Sequence, residues 1–274
     1  MRRIIDFDCA GDRLAGTLDD ATGTAGLLIV SGGIEIRSGA YAGQAAMAAY
    51  FARQGHPVFR YDRRGIGDSE GVNSGFEDSS EDIAAAVTTF RQAAPHIGHL
   101  VAFGNCDAAT ALALFHSGHA IDQLILANPW VIEAAESNGA PVPPNAAAIR
   151  ARYWARLKNP RSLLDLLTGK IDFGKLAGGI AQAARREEAG GLACRLATAL
   201  SECDKPTRIL IAARDTTAMA FIGCWKGELF DTARAANHIS LASLETASHS
   251  FADVQAKEWL YAEVAEVLVA AERA

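Results

Sequence analysis

The stretch His99-Leu-Val-Ala-Phe-Gly-Asn-Cys-Asp-Ala-Ala-Thr110 decides the fold. Its first half is a short apolar run of strand character, and its second half begins an alanine-rich run of helical character with no loop between them. A strand that turns straight into a helix forces the corner residue into a strained backbone, and only small flanking side chains leave the neighbouring elements room. Gly104 and Ala108 occupy the flanks, in the pattern G-x-S-x-G of a nucleophile elbow with cysteine for serine and alanine for the last glycine. Cys106 is thereby presented above a sheet, at a helix N-terminus whose partial positive charge favours a thiolate.

Outward from this corner, β-rich apolar runs alternate with longer helical ones, the pattern of an α/β chain wound around a mostly parallel sheet. Eight strands are predicted, at 3–8, 13–18, 26–31, 57–62, 100–104, 123–127, 208–213 and 239–245. The short turn at 9–12 makes the first two an antiparallel hairpin, and the others are expected to run parallel. Helices are predicted at 42–54, 77–94, 107–117, 216–225 and 254–271, the second opening on the carboxylates Glu77, Asp78, Glu81 and Asp82 that suit the positive end of a helix. Between Pro129 and Pro206 the strand rhythm stops, across a proline-rich break at 140–144 and a basic stretch at 150–161 that contains Tyr153, Trp154 and Leu157. A structureless loop of that length would be unusual in a compact domain, so an inserted helical cap is expected. The organisation read from this is a core in two parts, 1–130 and 207–274, with the cap at 131–206.

The 274 residues are half apolar and carry 26 Lys plus Arg against 32 Asp plus Glu, a net charge of −6. No basic field is available for nucleic acid or an anionic membrane, and no run approaches the ~20 apolar residues of a membrane span, so neither nucleic acid nor membrane insertion is expected. The five cysteines are widely spread, without a CxxC pair or a neighbouring histidine, which argues against a metal site and for a reducing compartment. Asp6 and Asp8 interrupt what would have to be the apolar core of a signal peptide, and a cytoplasmic location is expected. Gly32-Gly33 and Gly65-Ile-Gly67 complete no phosphate-binding motif, and no cofactor is implied.

Ligands of open α/β sheets sit beyond the carboxyl ends of the strands, which sorts the titratable residues. Of seven histidines, His56, His99 and His238 precede strands, His96 lies beside His99, and His116 and His119 follow the helix that starts at the elbow. Only His249 follows a strand. Among the acids, Asp215 ends the seventh strand, with Asp231 and Asp253 as alternatives. The other four cysteines, Cys9, Cys194, Cys203 and Cys224, read as packing residues. The chain order is then nucleophile Cys106, acid Asp215, base His249.

On these residues the sequence resembles the α/β-hydrolases, in which that order is the usual one. Asp62-Arg-Arg-Gly-Ile-Gly-Asp-Ser-Glu-Gly71 is similar to a loop that many such enzymes carry after the fourth strand. The Gly-Asn-Cys-Asp-Ala elbow and the length are most similar to the hydrolases encoded with exosortase A systems of bacterial exopolysaccharide loci. A cysteine at the elbow also resembles dienelactone hydrolases, thioesterase-like enzymes and polyhydroxyalkanoate synthases. The resemblance implies hydrolysis of a small-molecule ester, thioester or lactone through an acyl-cysteine, without a metal. Two backbone donors should hold the oxyanion: the N–H of Asp107, and that of Gly33 or Ile34 in the loop after the third strand. The likeness to dienelactone hydrolases makes Glu35 a candidate modulator of the thiol. An acyltransferase to a saccharide or carrier, and a non-catalytic binding protein on the same fold, are the competing readings.

Overall fold

The computed structural model describes residues 1–132 and 191–273. Eight strands form within them: β1 Arg2–Cys9, β2 Asp12–Asp19, β3 Ala25–Val30, β4 Val58–Tyr61, β5 His99–Asn105, β6 Gln123–Ala127, β7 Thr207–Ala212 and β8 Ile239–Leu244. They make one sheet in the order β1-β2-β4-β3-β5-β6-β7-β8. β2 is antiparallel to both its neighbours, β1 and β4, and every other pair is parallel, as the short 9–12 turn and the long later connections require. From β3 the chain moves one way to β4 and then the other way to β5, so the loops leaving β3 and β5 lie side by side, with Val30 in register with Gly104. That divergence is the switch point at which α/β sheets form their clefts.

Seven helices are described: α1 Gly43–Arg53, α2 Ser80–Ala93, α3 Asp107–Phe115, α4 Gly191–Glu202, α5 Thr216–Trp225, α6 Asp231–Ala235 and α7 Val254–Glu272. α1 and α7 cover one face of the sheet, whereas α2, α3, α4 and α5 cover the other. The central strands are buried on both faces. Along β3, Leu28 and Val30 join the core under α2 and α3, and Ala25, Leu27 and Ile29 join the core under α1 and α7.

Three differences from the expected elements have local causes. The helix expected from residue 77 is split, with a tight turn at Phe76–Asp78 before α2 begins at Ser80. The five-residue α6 has too short a pattern for periodicity to reveal. α4, within the stretch assigned to the cap, packs against α3 with Leu196 and Leu200 fully buried in the core on that side. The other expectations for that stretch, including 140–144, 150–161 and Tyr153, Trp154 and Leu157, lie outside the described residues. No described helix is long and apolar enough to cross a membrane.

Phe59 anchors the larger core: its fully buried ring stacks on Phe90 at 5.6 Å and meets Phe7 at 5.9 Å, in space left by the missing side chain of Gly16. Phe59→Ala should lower unfolding free energy by about 3–5 kcal/mol, read as an earlier midpoint in urea denaturation with an unchanged slope.

Candidate active site

β5 ends at Asn105 and α3 begins at Asp107, leaving Cys106 alone at the corner with φ 64° and ψ −127°. For a residue with a side chain this conformation costs about 1–3 kcal/mol and persists only where the surroundings fix it. They do. The Cys106 N–H donates to the Ala127 carbonyl at 2.9 Å, and its own carbonyl accepts the Ala109 N–H at 3.1 Å. A Cβ on Gly104 would come within 2.7 Å of the Ala108 backbone, so strand and helix approach this closely only over glycine.

The loop after β8 brings His249 to this corner, and its Nδ1 lies 3.0 Å from Asp215 Oδ2. Asp215 is held in turn as the N-cap of α5, accepting the Ala218 N–H at 3.0 Å. With Nδ1 donating to Asp215, Nε2 is the ring nitrogen available to Cys106, which lines the same cleft. The bond to Asp215 and then the nearby Cys106 outweigh burial and push the imidazole up to about 10. Burial works against the Asp215 carboxylate, but the hydrogen bonds from His249 and Ala218 prevail and hold it below its usual range. The two alternative acids are engaged elsewhere: Asp253 caps α7 and accepts from Thr246, and Asp231 pairs with Arg234.

Two asparagines that the sequence reading did not assign support the histidine. Asn105 Nδ2 and Asn128 Nδ2 donate to the His249 carbonyl at 3.2 and 3.1 Å, and Asn128 also donates to Asn105 Oδ1 at 3.1 Å. Asn128 is fully buried, stands at φ 43° and accepts the Ala212 N–H at 2.8 Å. It thus ties the ends of β6 and β7 to the histidine loop. Its place directly after a strand end, before Pro129, was the available signal.

The loop after β3 lies against the elbow. Gly33, at φ 57°, lines the cleft, while Ile34 stands 83% exposed outside the lining. The Gly33 N–H donates to both carboxylate oxygens of Asp107, at 2.7 and 2.9 Å. Glu35 is half-buried in the cleft wall; desolvation raises its carboxyl above the usual value, partly offset by the Ala40 N–H and by His249. The arginines near the site serve the scaffold. Arg37 pairs with Asp62 and Asp68, Arg64 with Asp82 and Glu81, and buried Arg63 donates to the Gly33 carbonyl.

The cleft above Cys106 encloses about 310 Å³. Met47, Phe103, Phe251, Leu260 and Tyr261 make it apolar between α1 and α7, and Glu35, His249 and Lys257 supply its charge. The other cysteines differ in setting. Burial and then Asp82 push the Cys9 thiol up to about 12, Cys203 is buried against His116, and Cys194 is exposed on α4 rather than packed. Among the described residues no group of three or more His, Cys, Asp or Glu could hold a metal ion.

Residues 23–178, more than half of the chain, match the hydrolase family model described as serine aminopeptidase, S33. The chain belongs to this family. In a family named for serine, it carries cysteine at the elbow. Solved structures of similar architecture include an esterase of Pyrococcus furiosus, with TM-score 0.68 and 16% identity over 99% of this chain and 92% of that one. An α/β-hydrolase of Sphaerobacter thermophilus has TM-score 0.55 and 22% identity over 96% and 99%. The thioesterase domain from the curacin biosynthetic pathway has TM-score 0.56 and 15% identity over 98% and 99%. At these identities the likeness establishes the α/β-hydrolase fold. No curated protein sequence matches the chain.

The raised imidazole fixes a pH signature. A histidine whose folded value is about 10 against an ordinary 6.5 contributes stability that is complete below about 6.5 and lost as pH rises through about 10. Asp215→Asn keeps the cap on α5 and removes the charge. Its deficit in denaturation midpoint should be largest near pH 6 and should shrink above pH ~10; a deficit independent of pH would contradict the pairing.

Proposed function

We propose that this chain is a cysteine-dependent acyl hydrolase acting on an ester, thioester or lactone, with Cys106 as nucleophile, His249 as proton carrier and Asp215 orienting the imidazole. The observation that carries the reading is the Asp215–His249 hydrogen bond at the edge of a cleft that His249 and the elbow Cys106 both line, with Cys106 helping to hold the proton on the ring. The proton shared between the Cys106 sulfur and Nε2 of His249 rests on Nε2 as the sulfur attacks the acyl carbon; the bond to the leaving group then breaks, and the leaving atom takes that proton. Water then attacks the acyl-cysteine while His249 accepts its proton, and the sulfur departs to restore the starting state. The N–H groups of Gly33 and Asp107 are the proposed donors to the oxyanion of both steps. The apolar wall between α1 and α7 suits an acyl group of aliphatic or aromatic character. The esterase and thioesterase among the similar structures agree with this class of reaction.

The similarity of the elbow to exosortase A-associated hydrolases makes a saccharide hydroxyl the alternative acceptor, which product analysis with and without a polysaccharide fragment distinguishes from water. A cytoplasmic location fits a nucleophile that must stay reduced, and no disulfide joins the five cysteines.

Cys106→Ala should abolish hydrolysis of p-nitrophenyl esters and acyl thioesters, and remove the iodoacetamide label from the elbow peptide. Wild-type turnover in that variant would overturn the proposal. Glu35 lies in the same cleft and its negative charge opposes a thiolate. Glu35→Gln should move the pH profile of Cys106 alkylation to lower pH; identical profiles would remove Glu35 from the account.

A further inference from the structure

We infer that the side chain of Asp107 latches the oxyanion site, so that acylation of Cys106 proceeds only when the substrate oxygen displaces its carboxylate from the Gly33 N–H. This rests on the cysteine chemistry proposed above and adds to it a rate- and selectivity-setting residue. Gly33 lines the cleft, and its N–H donates to both oxygens of Asp107, at 2.7 and 2.9 Å. A carboxylate there has the charge of the oxyanion it precedes, and a charged acceptor makes a stronger bond to an amide than a neutral carbonyl does. A ground-state carbonyl is therefore a poor competitor, while the oxyanion of the tetrahedral intermediate competes on equal terms.

Three features give this contact a fixed place rather than that of a wandering surface side chain. A Cβ on Gly32 would overlap Asp107 Oδ1, so the carboxylate uses space that only glycine leaves. Gly33 holds a left-handed φ of 57°, and buried Arg63 grips its carbonyl, which sets the direction of the loop. Asp107 is also the first residue of α3, where a carboxylate ordinarily favours the amides of its own helix; here it reaches across to the β3 loop instead.

The test measures acylation in the full chain by the burst of p-nitrophenol from p-nitrophenyl acetate, for wild type, Asp107→Ala, Asp107→Asn and Cys106→Ala. Replacing a charge-assisted bond by an open donor should raise the acylation rate of Asp107→Ala about ten- to hundredfold, with Asp107→Asn between the two because its neutral amide oxygen still accepts from Gly33. A simple aliphatic aldehyde, which adds the thiol to give a hemithioacetal whose oxygen needs the same donors, should inhibit Asp107→Ala at least tenfold more tightly than wild type. Acylation equal to or slower than wild type in both Asp107 variants, with Cys106 still alkylated by iodoacetamide, overturns the latch. If Asp107→Ala does not fold, the same comparison rests on Asp107→Asn. Hydrolysis retained by Cys106→Ala would instead remove the underlying cysteine chemistry, so the two failures are distinct.

Discussion

The constraint on which this structure depends is the strained corner at Cys106. A strand enters it and a helix leaves it with no residue between to relax the turn, so the backbone takes a conformation that side-chain-bearing residues avoid. Its cost is met by the Ala127 carbonyl on the neighbouring strand, by the first turn of α3, and by the absence of a side chain at Gly104. In return the sulfur is lifted clear of a sheet whose central strands are buried on both faces. Because the connections diverge at β3, the same geometry puts the Ser31–Glu35 loop beside the corner, and the loops after β7 and β8 bring up the acid and the histidine.

Charge around the corner is unevenly shared. On one side, His249 carries a proton held by Asp215 and Cys106. On the other, Glu35 and Asp107 place two carboxylates near the proposed nucleophile, and Asp107 adds to the disfavouring of charge on Glu35. Such opposition is costly to a resting fold and characteristic of sites that manage charge in time. In the proposed latch, it withholds the Gly33 N–H until an acyl group arrives.

Much of this arrangement is legible in the amino-acid sequence, because strand alternation, the tight elbow and the position of each acid and histidine relative to a strand end are local signals. The eight strands, the hairpin and the parallel remainder follow from them, as does the pairing of Asp215 with His249. What was not legible depends on side-chain direction over distance. Asn105 and Asn128 converge on a carbonyl from two strands, Arg63 crosses to the Gly33 carbonyl, and Asp107 turns toward the β3 loop. None of these leaves a periodic trace. α6 is shorter than the pattern that would reveal it, and α4 was read with the insertion because its apolar spacing does not say which surface it covers.

The central claim is that the sulfur of Cys106 carries the acyl group. Rapid acid quenching of the chain mixed with an acyl thioester, followed by peptide mass spectrometry, tests it most directly. The account predicts the mass of the acyl group on the peptide containing Cys106, appearing before steady turnover and absent in Cys106→Ala. Turnover of the thioester with no acyl mass on Cys106 at any quench time, or with the acyl group on a different residue, would contradict it.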